Sequence, residues 1–166
     1  MMPRYGTAAP PGSRHRWIPA AVALLLLGFA VGGARAELPT EELRVADQTL
    51  TVEIAATPQA MARGLMFREH MPEAHGMLFI WPGDQVIAMW MKNTLIPLSV
   101  AFIDRDFRVL NIADMEPHSL RTHPSDGPAR YALEVNQGWF DRHGIEAGTR
   151  VDDLERLVAD LASGRH

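Results

Sequence analysis

The sequence predicts a mainly β protein: a single-domain β-sandwich or partly open barrel with two short helices and a C-terminal helix. Three observations carry this. Short runs of alternating or continuous apolar residues recur along the chain, each bounded by Gly, Pro or Asp. Helical spacing is confined to two brief stretches and the extreme C-terminus. No segment repeats, and the length suits one core rather than two.

The first 36 residues are different in kind. Arg4, Arg14 and Arg16 precede an apolar run from Trp17 to Ala34, and Ala34-Arg35-Ala36 follows. A basic n-region, an apolar h-region and an A-x-A site make residues 1–36 a signal peptide, cut after Ala36. The run is also nearly long enough to span a bilayer, so an uncleaved N-terminal membrane anchor is the alternative. Either way the folded part is expected outside the cytoplasm, exported and periplasmic or otherwise extracytoplasmic. The membrane is engaged only through this segment, and only if it stays uncleaved.

Residues 37–151 hold the β domain. Leu43 and Val45, then Leu50, Val52 and Ile54, alternate with polar residues around Asp47-Gln48, which reads as strand, turn, strand. Thr57-Pro58 gives a hydroxyl cap followed by Pro at the first helical position. The short helix QAMAR ends at Gly64, read as a left-handed cap. The run from Gly76 to Trp81 predicts a buried strand stopped by Pro82-Gly83. Val86–Met91 and Ile96–Ile103 predict two more, and Asp104-Arg105-Asp106 turns the chain into Phe107–Ile112. From Ala113 to Pro128 the pattern stops in a polar, Pro-rich stretch, long for a connection. At Tyr131–Val135 alternation returns, with Tyr131, Leu133 and Val135 on one face and Ala132 and Glu134 on the other. A turn of helix near Trp139–His143 ends at Gly144, and a short strand lies near Arg150-Val151. Residues 152–166 form a helical extension with Leu154, Leu157, Val158 and Leu161 on one face.

Charge and composition narrow the function. The chain has 16 Lys and Arg, and four of these arginines leave with the leader. The remaining 12 face 20 Asp and Glu, a net charge of −8. Nucleic acid is therefore not an expected partner, nor is an anionic membrane surface. There is no cysteine, which excludes a thiol nucleophile, a haem attachment site and a Cys-type zinc site.

The segments TPQAMARGLMFR, GMLFIW, MWMKNTLIPLSVAFID and YALEVNQGWFDRHGIEAGTRV resemble, in order, the blocks of the DUF192 (UPF0127) family. The resemblance runs from about Val45 to Val151, and GLMFR followed by MKNTLIPL is highly specific. It implies a single-domain β-sandwich of jelly-roll-like type, often exported, and it implies no established reaction; no cofactor is expected. The chain departs from the family pattern at Ser99 and Thr149, where acidic residues are usual. A carboxylate role at either position is thereby excluded.

The candidate site centres on Met89–Leu98, where Lys92, Asn93 and Thr94 interrupt an apolar stretch beside Trp90. The bland reading is a tight turn, since Asn tolerates left-handed backbone angles and both Asn and Thr bond their own backbone. The functional reading is non-catalytic binding of a small polar or anionic ligand, or of an exported protein partner. Lys92 would supply a point charge and Asn93 both donor and acceptor. Trp90 shares a face with Lys92 by strand alternation. Arg63 and Arg68 flank GLM; Arg63 can serve simply as a helix-end cation. Glu134 stands in an otherwise apolar strand and would pair with Arg68 or Lys92. A second reading makes Lys92, Glu134 and Arg68 an acid–base pocket of an enzyme. A third takes Met66, Met77, Met89 and Met91 as thioether ligands for Cu(I), against the common use of Met to fill cores. His118 and His123 share a loop without further ligand spacing. HExxH, GxSxG, GxGxxG and Walker sequences are absent.

Overall fold

Local chemistry explains how the chain enters its sheet. The computed structural model describes residues 37–164; the expected leader and the last two residues of the C-terminal extension lie outside them. Strands β1 (Thr40–Val45) and β2 (Gln48–Ala55) form an antiparallel hairpin, with Ala46 at φ +53° in its turn. Helix α1 (Pro58–Arg63) follows, and the Ala60 N–H donates to the Thr57 hydroxyl at 3.2 Å. Gly64 closes α1 with φ +48° and its N–H on the Ala60 carbonyl. Its ψ of −138° differs from that of the left-handed cap read from the sequence, but a positive φ still favours glycine. The α1 crossover lets β3 (His75–Gln85) run parallel to β2, and the other strand pairings among the described residues are antiparallel.

Pro82-Gly83 does not end β3, as the apolar run alone suggested. The strand continues to Gln85, and the register against its neighbour shifts between Ile80 and Gln85. An irregularity accommodates a proline that cannot donate to the ladder. The expected strand over Val86–Met91 shrinks to β4 (Ala88–Met89), and Ile96–Ile103 to β5 (Leu98–Ile103). The Phe107–Ile112 segment becomes β6 (Val109–Met115), with Phe107 at φ +63° left in the turn. The apparently patternless stretch holds the end of β6 and also β7 (His123–Pro124), which pairs with β4. Then come β8 (Ala129–Asn136), α2 (Trp139–Arg142) and α3 (Leu154–Ser163). Near Arg150 there is a single bridge to Arg108 rather than a strand.

The large sheet has the order β1-β2-β3-β8-β5-β6, and β4-β7 forms a small second sheet. The protein is mainly β, as expected, but its large sheet is open rather than closed into a barrel. Both faces are covered. Leu78, Ala101, Ile103, Tyr131, Leu133 and Val135 point to the face that α2 and α3 close with Trp139, Phe140, Leu154 and Leu157. Met77, Phe79, Val100, Phe102 and Ala132 point to the other, where Leu65, Ile87, Met91 and Ile96 cover them. Central strands sandwiched this way are apolar on both faces, and all six β5 residues are buried. Among the described residues, no helix is long and apolar enough to cross a membrane.

Candidate functional site

The site begins with an exception on β8. Ala132 and Glu134 share one parity, so the carboxylate enters the face that Met77 and Val100, its cross-strand partners, help to fill. Glu134 is only 4% exposed. Among the described residues nothing hydrogen-bonds or ion-pairs with its carboxyl. Burial alone pushes its pKa up to about 8, so the group is mostly a neutral acid at pH 7.

Glu134 opens into a cavity of about 300 Å³. The thioethers of Met61, Met66 and Met89 and the rings of Phe79, Trp81 and Trp90 form much of its wall. Phe79 and Trp81 share the face of β3 that carries Met77, and they stack on each other with centroids 5.9 Å apart. Arg63, Thr94 and Glu134 are its principal polar side chains. Arg63 is exposed at the end of α1, and among the described residues no carboxylate pairs with it. The cavity thus has a buried acid, apolar and aromatic walls, and a cation toward solvent.

The Lys92-Asn93-Thr94 triplet is a turn. Asn93 takes φ +57°, and the Thr94 N–H donates to the Met91 carbonyl at 3.1 Å. The turn also ties two distant segments together. Its Asn93 carbonyl accepts from the Phe67 N–H at 2.8 Å, and the Thr94 carbonyl accepts from the His118 N–H at 3.0 Å. Thr94 is buried and lines the cavity, while its hydroxyl lies 3.4 Å from the Lys92 carbonyl. Lys92 is exposed and does not line the cavity. Its ammonium lies 5.3 Å from the centroid of Trp90, which does.

Of the residues singled out from sequence, the fold gathers Arg63, Trp90, Thr94 and Glu134 around one space, with Met66 and Met89. Arg68 is elsewhere, in a partly buried pair with Glu53 at 2.5 Å. Glu134 therefore has neither of the partners weighed for it, and Lys92, Glu134 and Arg68 do not form one acid–base cluster. Met77 and Met91 are packed into the core at 1% and 0% exposure, apart from the cavity wall. Sequence reasoning missed Met61, Phe79 and Trp81. The parity of Trp81 with Met77 and Phe79 was a usable signal; the approach of Met61 from α1 was not.

A family model covers residues 41–152, most of the described chain. The chain belongs to the DUF192 family. That family is described as uncharacterized. Among solved structures, this DUF192 chain is similar to a "putative transcription regulator" from Sinorhizobium meliloti 1021. The two share 38% identity over 69% of this chain and 93% of the other, with a TM-score of 0.65. It is also similar to a protein of unknown function from Novosphingobium aromaticivorans DSM 12444. Here identity is 33% over 70% of this chain and 87% of the other, with a TM-score of 0.68. No curated protein matches it in sequence.

Proposed function

We propose that this DUF192 domain is a non-catalytic binding module whose cavity takes a small ligand with an apolar body and an anionic group. The observation that carries the reading is Glu134: a carboxyl 4% exposed, without a partner among the described residues, opening into an aromatic and thioether-walled space. Buried polar groups are partnered as a rule, so an unpartnered one facing a cavity calls for a partner from outside. Arg63 suits the anionic end, with Lys92 nearby on Trp90. Acid–base catalysis is less well supported, because among the described residues Glu134 and Arg63 are the only ionisable groups that line the space. The label of the Sinorhizobium meliloti relative does not favour DNA here, since 20 acidic residues outweigh 12 basic ones beyond the leader. The leader supports a place of action outside the cytoplasm.

A fragment titration followed by NMR tests the reading. Binding fragments should shift the indole N–H signals of Trp81 and Trp90 together and be recovered chemically unchanged. Ala88→Trp, which fills the cavity from β4, should abolish those shifts. Fragments that bind equally well to Ala88→Trp, or a cavity that no fragment enters, would defeat the proposal.

A further inference from the structure

We infer that the ligand presents a protonated amine to Glu134 and its anionic group to Arg63, so that it is a small zwitterion with its charges separated by an apolar chain. The inference rests on the cavity being a binding site, and adds which chemical group belongs at each end.

The buried end is decided by what surrounds the carboxyl. Among the described residues no fully enclosed side-chain nitrogen or oxygen lacks a partner. The unmet capacity of Glu134 therefore faces the cavity rather than the packed core. A ligand has two ways to meet it: an acceptor for the proton of the neutral acid, or a cationic donor for the carboxylate. The walls favour the cation. Phe79, Trp81 and Trp90 present aromatic rings, whose negative faces attract an ammonium and offer a neutral acceptor nothing comparable. The thioethers of Met61, Met66 and Met89 are polarizable and add no competing charge. Around Glu134, β3 contributes Met77 and Phe79, β5 contributes Val100, and the turn that precedes β5 contributes Thr94. None of these ionises.

The outer end is decided by Arg63. Among the described residues it is the only other charged one lining the cavity, and it is exposed where Glu134 is buried. A lone ammonium gains nothing from it, whereas a carboxylate at the far end of the ligand gains a charge-assisted hydrogen bond. Acid inside and base outside match a ligand whose amine and acid sit at opposite ends.

Proton balance gives the inference a distinctive signature. Below a pKa of about 8, Glu134 must release its proton to solvent before it can pair with an ammonium. A simple alkylammonium keeps its own proton throughout this range. Amine binding should therefore release one proton and strengthen by about tenfold per pH unit up to roughly pH 8, then level off.

Four compounds with the same six-carbon chain test this: ε-aminocaproate, hexylamine, hexanol and hexanoate. Titration calorimetry in buffers of different ionisation enthalpy reads affinity and proton release together, while the Trp81 and Trp90 signals report occupancy. The two amines should bind with the stated pH dependence, and hexanol and hexanoate should bind about tenfold or more weakly. Glu134→Gln should remove both the preference for amines and the pH dependence. Arg63→Gln should weaken ε-aminocaproate to the level of hexylamine and leave hexylamine unchanged. Hexanol or hexanoate entering the cavity as tightly as the amines, or amine affinity flat with pH, would overturn the inference and leave the binding reading standing. If other fragments occupy the cavity and neither amine does, the inference also fails alone. If nothing enters the cavity, both fail.

Discussion

Replacing Glu134 with Gln should stabilise the protein by an amount that grows with pH. The wild-type carboxyl titrates at its ordinary value of 4.5 in the unfolded chain and at about 8 in the folded one. An acid with a raised folded-state pKa holds its proton longer in the folded state than in the unfolded one. Between these values the unfolded chain gives up the proton while the folded chain keeps it. Stability from this group is thus complete below about pH 4.5, falls as pH rises, and is fully lost above about pH 8. The slope is about 1.4 kcal/mol per pH unit, and the whole window amounts to roughly 5 kcal/mol. Against a typical domain stability of about 5–15 kcal/mol this is a large fraction.

Gln has nearly the same shape and no ionisation. Every other titrating group is shared by the two proteins, so their difference isolates Glu134. Urea unfolding of both proteins at several pH values from about 5 to 9 measures it. At the acid end the two should lie within about 1 kcal/mol of each other, the neutral acid and the amide being similarly unpartnered. Toward pH 8 the variant should become the more stable by several kcal/mol. A difference that stays constant across the window would mean that Glu134 is already paired or hydrated in the folded protein. The reasoning about the cavity would then be wrong at its source.

Gly76→Ala should cost more than about 2 kcal/mol in the same unfolding assay, because an added Cβ would lie 2.6 Å from the Glu134 carbonyl oxygen on the neighbouring strand. Asn93→Ala should cost roughly 1 kcal/mol, since alanine lacks both the tolerance for φ +57° and the side-chain bonding of asparagine, and Asn93→Gly should cost less. Lys92→Met should change stability by no more than about 0.5 kcal/mol, because the lysine is exposed and forms no ion pair among the described residues. Mass spectrometry of protein recovered from cells should find Glu37 as the first residue; a full-length chain held in the membrane fraction would replace cleavage with anchoring.

What could be read from the sequence was what short-range chemistry decides. The β1–β2 hairpin, the Thr57-Pro58 start of α1, the two-faced alternation of β8 and the apolar stripe of α3 all follow from neighbours within a few residues. The errors fall where pairing is long-range. Pro82-Gly83 looks like a stop, but β3 crosses it because β8 pairs again beyond the irregularity at Gln85↔Ala129. The 113–128 stretch looks unstructured because β7 is two residues long and finds its partner, β4, more than thirty positions away. Arg68 looked available to Glu134 for the same reason: no local pattern reveals that Glu53 on β2 takes it first.

The polar triplet and the buried glutamate reverse the weight that each carries on inspection of the sequence. Lys92-Asn93-Thr94 is the more conspicuous interruption, yet nearly all of it is accounted for by a turn that anchors the Phe67 and His118 segments. Lys92 is solvated, so placing it there costs the fold little. Glu134 looks like one polar residue at an ordinary alternating position, yet it is a carboxyl withdrawn from water without compensation from the chain. Such a group weakens the empty protein as pH rises and does nothing for packing that an apolar residue would not do better. That weakness disappears if a cation occupies the cavity, because the same carboxylate then gains a partner in a site of low dielectric constant. A ligand-bound protein should accordingly lose the downward slope of stability between about pH 4.5 and 8 that is expected of the empty one. The cost of Glu134 and the affinity for its partner are then two measurements of one interaction.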